Sequence, residues 1–254
     1  MRHSQRPCSH AAVAALLPTC AGTDVIKADV NMYRITNDDW DKWTELAVHF
    51  DAAAAFSSRI ASKGLLQRPS FPDLDMLPIG FVTAPGDANR APDHWSHLTH
   101  DEQRLQVTLW AMARSPLFFG GSVTALRDTS NAEAVFTLSL LTNKAVLEVN
   151  AASTRNREVA RDSASSLRVW SAKLDQGRRR FAVAFFNVGE TASVTGSVTA
   201  GEAGLWSGSE EECKVEDAWS GKGLGKVSLS GSASMLTVQG GVPTHGTRLV
   251  LVEC

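Results

Sequence analysis

The chain changes its hydrophobic periodicity near residue 150, and that change limits the folds open to it. Between about residue 30 and 150, short apolar runs alternate with amphipathic stretches roughly every 40 residues, the pattern of βα units. Beyond Asn150 the apolar residues fall into short runs of alternating character: Leu167 to Leu174, Arg180 to Asn187, Ala192 to Thr199, Lys214 to Trp219, Gly225 to Leu229, Met235 to Val238 and Arg248 to Val252. Gly, Ser and the Asp175-Gln176-Gly177 turn separate them. Seven short strands at this spacing predict an antiparallel β-sandwich. The polar, charged stretch Ser153 to Ser166 reads as a linker or surface loop between the two regions.

The first region opens with a strand over Val30 to Ile35 that runs into a turn crowded with carboxylates, Asp38, Asp39 and Asp41. Trp43, Leu46, Ala47, Phe50 and Ala54 then recur at helical spacing over Asp39 to Ser57, and Gly64 and Pro69 close the unit. A strand that delivers Arg34 and Asp38 into the loop before a helix is how a β/α barrel builds its active face. Phe71 to Gly80 carries Asp73 and Asp75, which share a face if the chain is extended there. Thr99 and Glu102 form a capping box for a second helix with an apolar stripe of Leu105, Leu109 and Met112, widened by Val107 and Trp110 and stopped by Pro116. Leu117 to Gly121 reads as a short buried strand, and Asn131 to Thr142 as a third helix with Asn131 as N-cap.

Composition excludes some classes of function. A formal net charge of −2 gives no electrostatic footprint for nucleic acid. No apolar run approaches the ~20 residues of a membrane-spanning helix. The four cysteines, Cys8, Cys20, Cys213 and Cys254, make no CxxC pair. Cys213 and Cys254 lie near the ends of the β region, and the sequence leaves their pairing open. Residues 1–29 stay unassigned: Arg2, His3 and Arg6 before the Ala11 to Leu17 run read either as a short signal segment or as a remnant start.

Four blocks in order carry a family resemblance: NMYRITNDDWDKW (Asn31 to Trp43), PDLDMLPIG (Pro72 to Gly80), DEQRLQVTLWAMARSPLFFGG (Asp101 to Gly121) and LTNKAVLEVN (Leu141 to Asn150). AWSGKGLGKV and PTHGTRLVLVEC echo it more weakly in the tail. The chain resembles the plant-type α-galactosidases (melibiases) of glycoside hydrolase family 27, from about residue 30 onward. The resemblance implies the C-terminal portion of a (β/α)8 TIM barrel, residues 30–150, followed by an antiparallel β-sandwich, residues 151–254. It implies a retaining glycosidase acting on terminal α-linked galactose, in which two carboxylates stand about 5 Å apart. Asp38 would be the acid/base, Arg34 would hold sugar hydroxyls with its fixed fork of donors, and Asp75 and Met76 would line the sugar pocket, with Asp73 beside them.

The nucleophile is the departure. In the family it lies in a Lys-x-Asp motif two βα units before the acid/base. Lys27-Ala28-Asp29 fits the pattern but falls nine residues before Asp38 on the same strand, so Asp29 reads as a polar lead-in and no nucleophile is identified. Only about three βα units are visible, so an incomplete enzyme is expected. The alternative reading is a degenerate, non-catalytic paralogue or a carbohydrate-binding β domain. The resemblance implies no cofactor or metal, an α-galactosyl carbohydrate as partner, and a secreted, cell-wall or vacuolar location, and it leaves galactose against N-acetylgalactosamine open.

Other features read as structural. Asp39 and Asp41 are expected to be solvated carboxylates at a helix N-terminus. His94, His97 and His100 recur every third residue, but straddle a loop and a cap, and a metal role is set aside. Arg178-Arg179-Arg180 reads as a solvated hairpin rim. Trp40, Trp43, Trp110, Trp206 and Trp219 are assigned to core rather than to sugar stacking.

Overall fold

A computed structural model describes residues 32–63, 71–82, 92–175 and 179–254. The signal reading and Lys27-Ala28-Asp29 therefore lie outside the described residues. A helical layer packs on one face of a six-stranded antiparallel sheet, and short strand pairs cover the other.

In chain order the elements are β1 (Met32–Arg34), α1 (Trp43–Lys63), β2 (Phe71–Asp73), β3 (Phe81–Val82), β4 (His94–Trp95) and α2 (His100–Ala113). Then come α3 (Ala132–Leu141), α4 (Lys144–Ala152), β5 (Ser153–Asp162), β6 (Leu167–Asp175), β7 (Arg179–Asn187), β8 (Ser193–Val194) and β9 (Ser197–Thr199). The last are β10 (Glu211–Asp217), β11 (Gly223–Leu229), β12 (Met235–Thr237), β13 (Val242–Pro243) and β14 (Thr247–Glu253). The large sheet has the order β11-β10-β14-β7-β6-β5, and β12-β9 and β13-β8 pair separately.

The sheet is apolar on both faces, and the alternation shows it. On β7, Ala182, Ala184 and Phe186 face the helices while Phe181, Val183 and Phe185 face the small strands. Trp170, Ala172 and Leu174 on β6, and Leu249 and Leu251 on β14, continue the helical side. Burial on both faces turns these strands into near-continuous apolar runs.

Barrel geometry appears in the first region in part. β1 and β2 pair in parallel, with Arg34 opposite Asp73. No closed barrel forms among the described residues. Helix α4 was not expected from the sequence, and two further stretches differ from expectation. Ser153 to Asp162 is strand β5, not a linker; it is an edge strand, where charged side chains blunt unwanted pairing. Its irregular register, with Arg155 at φ 56°, disguised the period-two pattern. Leu117 to Gly121 is not a strand: it makes only isolated bridges, Leu77 to Phe119 and Val82 to Gly121, and Phe118 is exposed.

The helical layer is tied to the sheet by polar bonds as well as by the core. The Asn156 amide donates to the Met112 carbonyl at 2.8 Å, and the Trp219 indole donates to Thr108 Oγ1 at 3.2 Å. Arg180 reaches Glu148 on α4 at 2.7 Å, and Arg179 pairs with Glu211, so these two are paired, part-buried cations rather than a solvated rim. Four of the five tryptophans behave as expected: Trp110 is fully buried, and Trp43, Trp206 and Trp219 pack against the two cores, whereas Trp40 is half-buried and joins neither. Cys213 and Cys254 form a disulfide.

Candidate active site

The site is built where β1 and β2 end side by side. Their parallel register brings Arg34 and the Asp73–Met76 turn together, and the Ile35 amide donates to the Asp73 carbonyl at 3.0 Å. Arg34 then becomes the hub. Its guanidinium donates to the Asn37 carbonyl at 2.7 Å, to Asp38 Oδ1 at 3.3 Å and to Asp75 Oδ2. One nitrogen, Nη2, serves all three acceptors.

The two carboxylates on that nitrogen differ in availability. The Asp38 side chain is 79% exposed and is held only at its Arg34 edge. Asp75 is buried and bonded at both oxygens: Oδ2 accepts from Arg34 and from the Asp39 amide, and Oδ1 accepts from the Met76 amide. The Asp75 amide donates to Asp73 Oδ1 at 2.8 Å, and the Asp75 carbonyl accepts from the Trp110 indole at 2.7 Å. Asp75 adopts φ 90°, a conformation that costs on the order of 1–3 kcal/mol and persists only where its surroundings fix it. Met76 is exposed beside this turn and rests on Gly120, where an added Cβ would meet Met76 Sδ at 2.7 Å.

Beneath the turn lies a buried polar layer that the sequence reading missed. Asp39 is 1% exposed, not solvated, and its Oδ2 accepts from the Gln106 amide. Its pKa is pushed up to about 8, by burial first, with the Asp75 and Glu45 charges adding; the Gln106 bond and the Arg34 charge oppose. His49, also 1% exposed, bonds the Glu45 carbonyl through Nδ1 at 2.8 Å and stacks on Trp110. Burial is the largest cause holding its pKa below the ordinary imidazole value. Gln106 sits beside the Leu105–Leu109 stripe of α2, and that flanking position was the signal available. α2 is buried over nearly its whole circumference, so polar residues next to its stripe face protein.

Asp41 is likewise buried rather than solvated, and His94 and His97 both meet it, at 2.9 Å each. His100 does not join them; it pairs with Glu133 at 2.8 Å.

The geometry defines a class: a carboxylate-bearing β/α face backed by an antiparallel β domain. Residues 164–252 match the α-galactosidase C-terminal β-sandwich domain. Over 192 residues the chain is 26% identical to α-galactosidase 2 of Arabidopsis thaliana, covering 74% of this chain and 40% of that one. The structure resembles a family 27 β-L-arabinopyranosidase from Geobacillus stearothermophilus, with TM-score 0.75, 32% identity, and coverage of 92% of this chain and 47% of that one. A putative α-N-acetylgalactosaminidase from Bacillus halodurans gives TM-score 0.65 and 27% identity over 87% of this chain and 45% of that one. The chain thus spans less than half the length of these relatives. These matches are to enzymes of glycoside hydrolase family 27, and the chain resembles the C-terminal part of such an enzyme, the end of the β/α barrel followed by the β-sandwich.

Proposed function

We propose that this chain carries the acid/base half of a retaining glycosidase site that acts on terminal α-linked galactose. Residues 30–150 form the part-barrel that bears it, and residues 151–254 the supporting β domain. Asp38 is the acid/base: it protonates the glycosidic oxygen and then activates water. Arg34 holds both Asp38 and the sugar hydroxyls, while Asp75 and Met76 line the pocket. The observation that carries this reading is the single Arg34 nitrogen shared by an exposed Asp38 and a buried Asp75. An exposed carboxylate held in position by a fixed cation is free to reach a bound glycosidic oxygen.

Asp75 is unsuited to be the nucleophile, because both its oxygens already accept hydrogen bonds. On this reading the second carboxylate, ~5 Å from Asp38, comes from outside the described residues. The test is hydrolysis of a chromogenic α-galactoside by the purified chain, beside Asp38→Asn and Asp29→Asn. Activity lost in both variants assigns the nucleophile to Asp29. Activity that survives Asp38→Asn removes Asp38 from the mechanism. A folded but inactive chain favours the non-catalytic alternative for this polypeptide alone.

A second substrate reading rests on one similarity. The Geobacillus relative is a β-L-arabinopyranosidase. That sugar has the ring stereochemistry of galactose without its hydroxymethyl group, so a β-L-arabinopyranoside belongs in the same assay.

A further inference from the structure

Asp41, His94 and His97 form a cluster that the glycosidase reading does not use. Their candidate ligand atoms lie within 4.8 Å of one another. Asp41 Oδ2 is 2.9 Å from His94 Nε2, 2.9 Å from His97 Nδ1 and 2.8 Å from the His97 amide nitrogen. The two imidazoles stack with centroids 4.2 Å apart. Asp41 is 7% exposed, while the His97 side chain is 65% exposed, so the cluster has a buried anchor and an open mouth.

The orientation of His94 calls for a positive charge at Nε2, which the ring's own proton or a metal ion supplies. Its Nδ1 lies 2.7 Å from the Pro92 carbonyl. A carbonyl only accepts, so Nδ1 carries hydrogen. In the neutral ring, Nε2 then presents a bare lone pair to an ionised carboxylate at 2.9 Å. That contact is repulsive unless a proton or another cation sits between the two atoms. A ring nitrogen bonded to a backbone carbonyl, with the opposite nitrogen free to donate its lone pair, is the usual support of a metal-bound histidine.

We propose that Asp41, His94 and His97 bind a divalent transition cation of the zinc class and so pin the His94–His97 segment to the turn that carries Asp38. Two imidazole nitrogens and one carboxylate oxygen, with no thiolate, suit zinc, cobalt or nickel rather than a hard oxygen-seeking ion. Three protein ligands leave the fourth position to water. Tetrahedral bonds of about 2.0–2.1 Å place ligand atoms about 3.3 Å apart. The two 2.9 Å separations to Asp41 need to open by a few tenths of an ångström, and the stacked imidazoles need to rotate so that their lone pairs converge on the ion. The other cluster of this composition, Glu211 with Cys213 and Cys254, is closed to metal because its thiols form a disulfide.

The test is calorimetric titration of the untagged, chelator-stripped full chain with zinc chloride, with Co(II) absorption as a second readout. The expected result is one equivalent bound in the micromolar range, with the strong visible band of four-coordinate cobalt. His97→Ala, at a largely exposed side chain, weakens binding at least tenfold. His94→Gln with His97→Ala abolishes it, and His100→Ala leaves it unchanged. Absence of saturable uptake by the folded chain overturns the proposal. So does uptake that persists in the double variant, which would place the ion elsewhere.

Discussion

Reducing the Cys213–Cys254 disulfide tests how the β domain is held together. The bridge closes a loop with a sequence separation of 41 residues. Loop-closure entropy for that length is worth about 4 kcal/mol at 25 °C, an upper figure because reduced chains keep some structure. The native fold does not need the bond to place its strands. β14 pairs with β7 along seven positions and with β10 along four, and the Cys254 amide donates to the Arg179 carbonyl at 2.9 Å. The effect should therefore come through the unfolded chain. Urea unfolding of the full chain, followed by tryptophan fluorescence with and without reductant, should show a loss of about 2–4 kcal/mol. The midpoint should fall by on the order of 1 M, and the slope should steepen as the unfolded chain expands. Trp170, fully buried on β6, reports directly on this domain. A loss below about 1 kcal/mol would refute the reasoning, because the loop term would then be absent. A disulfide at this position also matches an oxidising compartment.

Two further outcomes are expected. His49 is buried with a lowered pKa, so the native state resists its protonation; stability is full above the ordinary imidazole pKa of about 6.5 and is lost as pH falls through the lower folded value. Denaturation midpoints measured across mildly acidic pH should show that slope, and His49→Phe should flatten it. Arg168, whose side chain is 6% exposed, bonds Glu158 at 2.7 Å and the Phe50 carbonyl at 3.2 Å, and Asp51 lies 3.0 Å from it. Arg168→Met should cost about 3 kcal/mol, at the low end for a broken buried pair because Arg161 still holds Glu158. Adding Glu158→Gln should restore part of that, as measured by chemical denaturation.

Much of this architecture was legible because it rests on local chemistry. The capping box at Thr99, the Asn131 cap and the alternating runs of β6, β7 and β14 are short-range patterns, and the structure has each of them. What escaped depends on contacts distant in sequence. Asp39 and Asp41 read as solvated because helix N-termini favour carboxylates. Their actual partners, Gln106 for one and His94 and His97 for the other, lie more than 50 residues away. β5 escaped for a different reason: an edge strand with a left-handed residue and a shifted register loses the alternation that identifies a strand.

The turn that carries Arg34 and Asp75 and the large sheet share one core. Asp75 fixes the position of Arg34, and Asp75 is itself held at φ 90° by its bonds to Arg34, Asp39, Met76, Asp73 and Trp110. Trp110 is the link to the rear. It stands on α2, whose buried residues share a core with Trp170, Ala184 and Phe186 on the sheet. Loosening the sheet therefore removes the support behind Trp110, which in turn releases the strained turn at Asp75. The position of Asp38, set by its bond to Arg34, then depends on packing that Asp38 itself never touches.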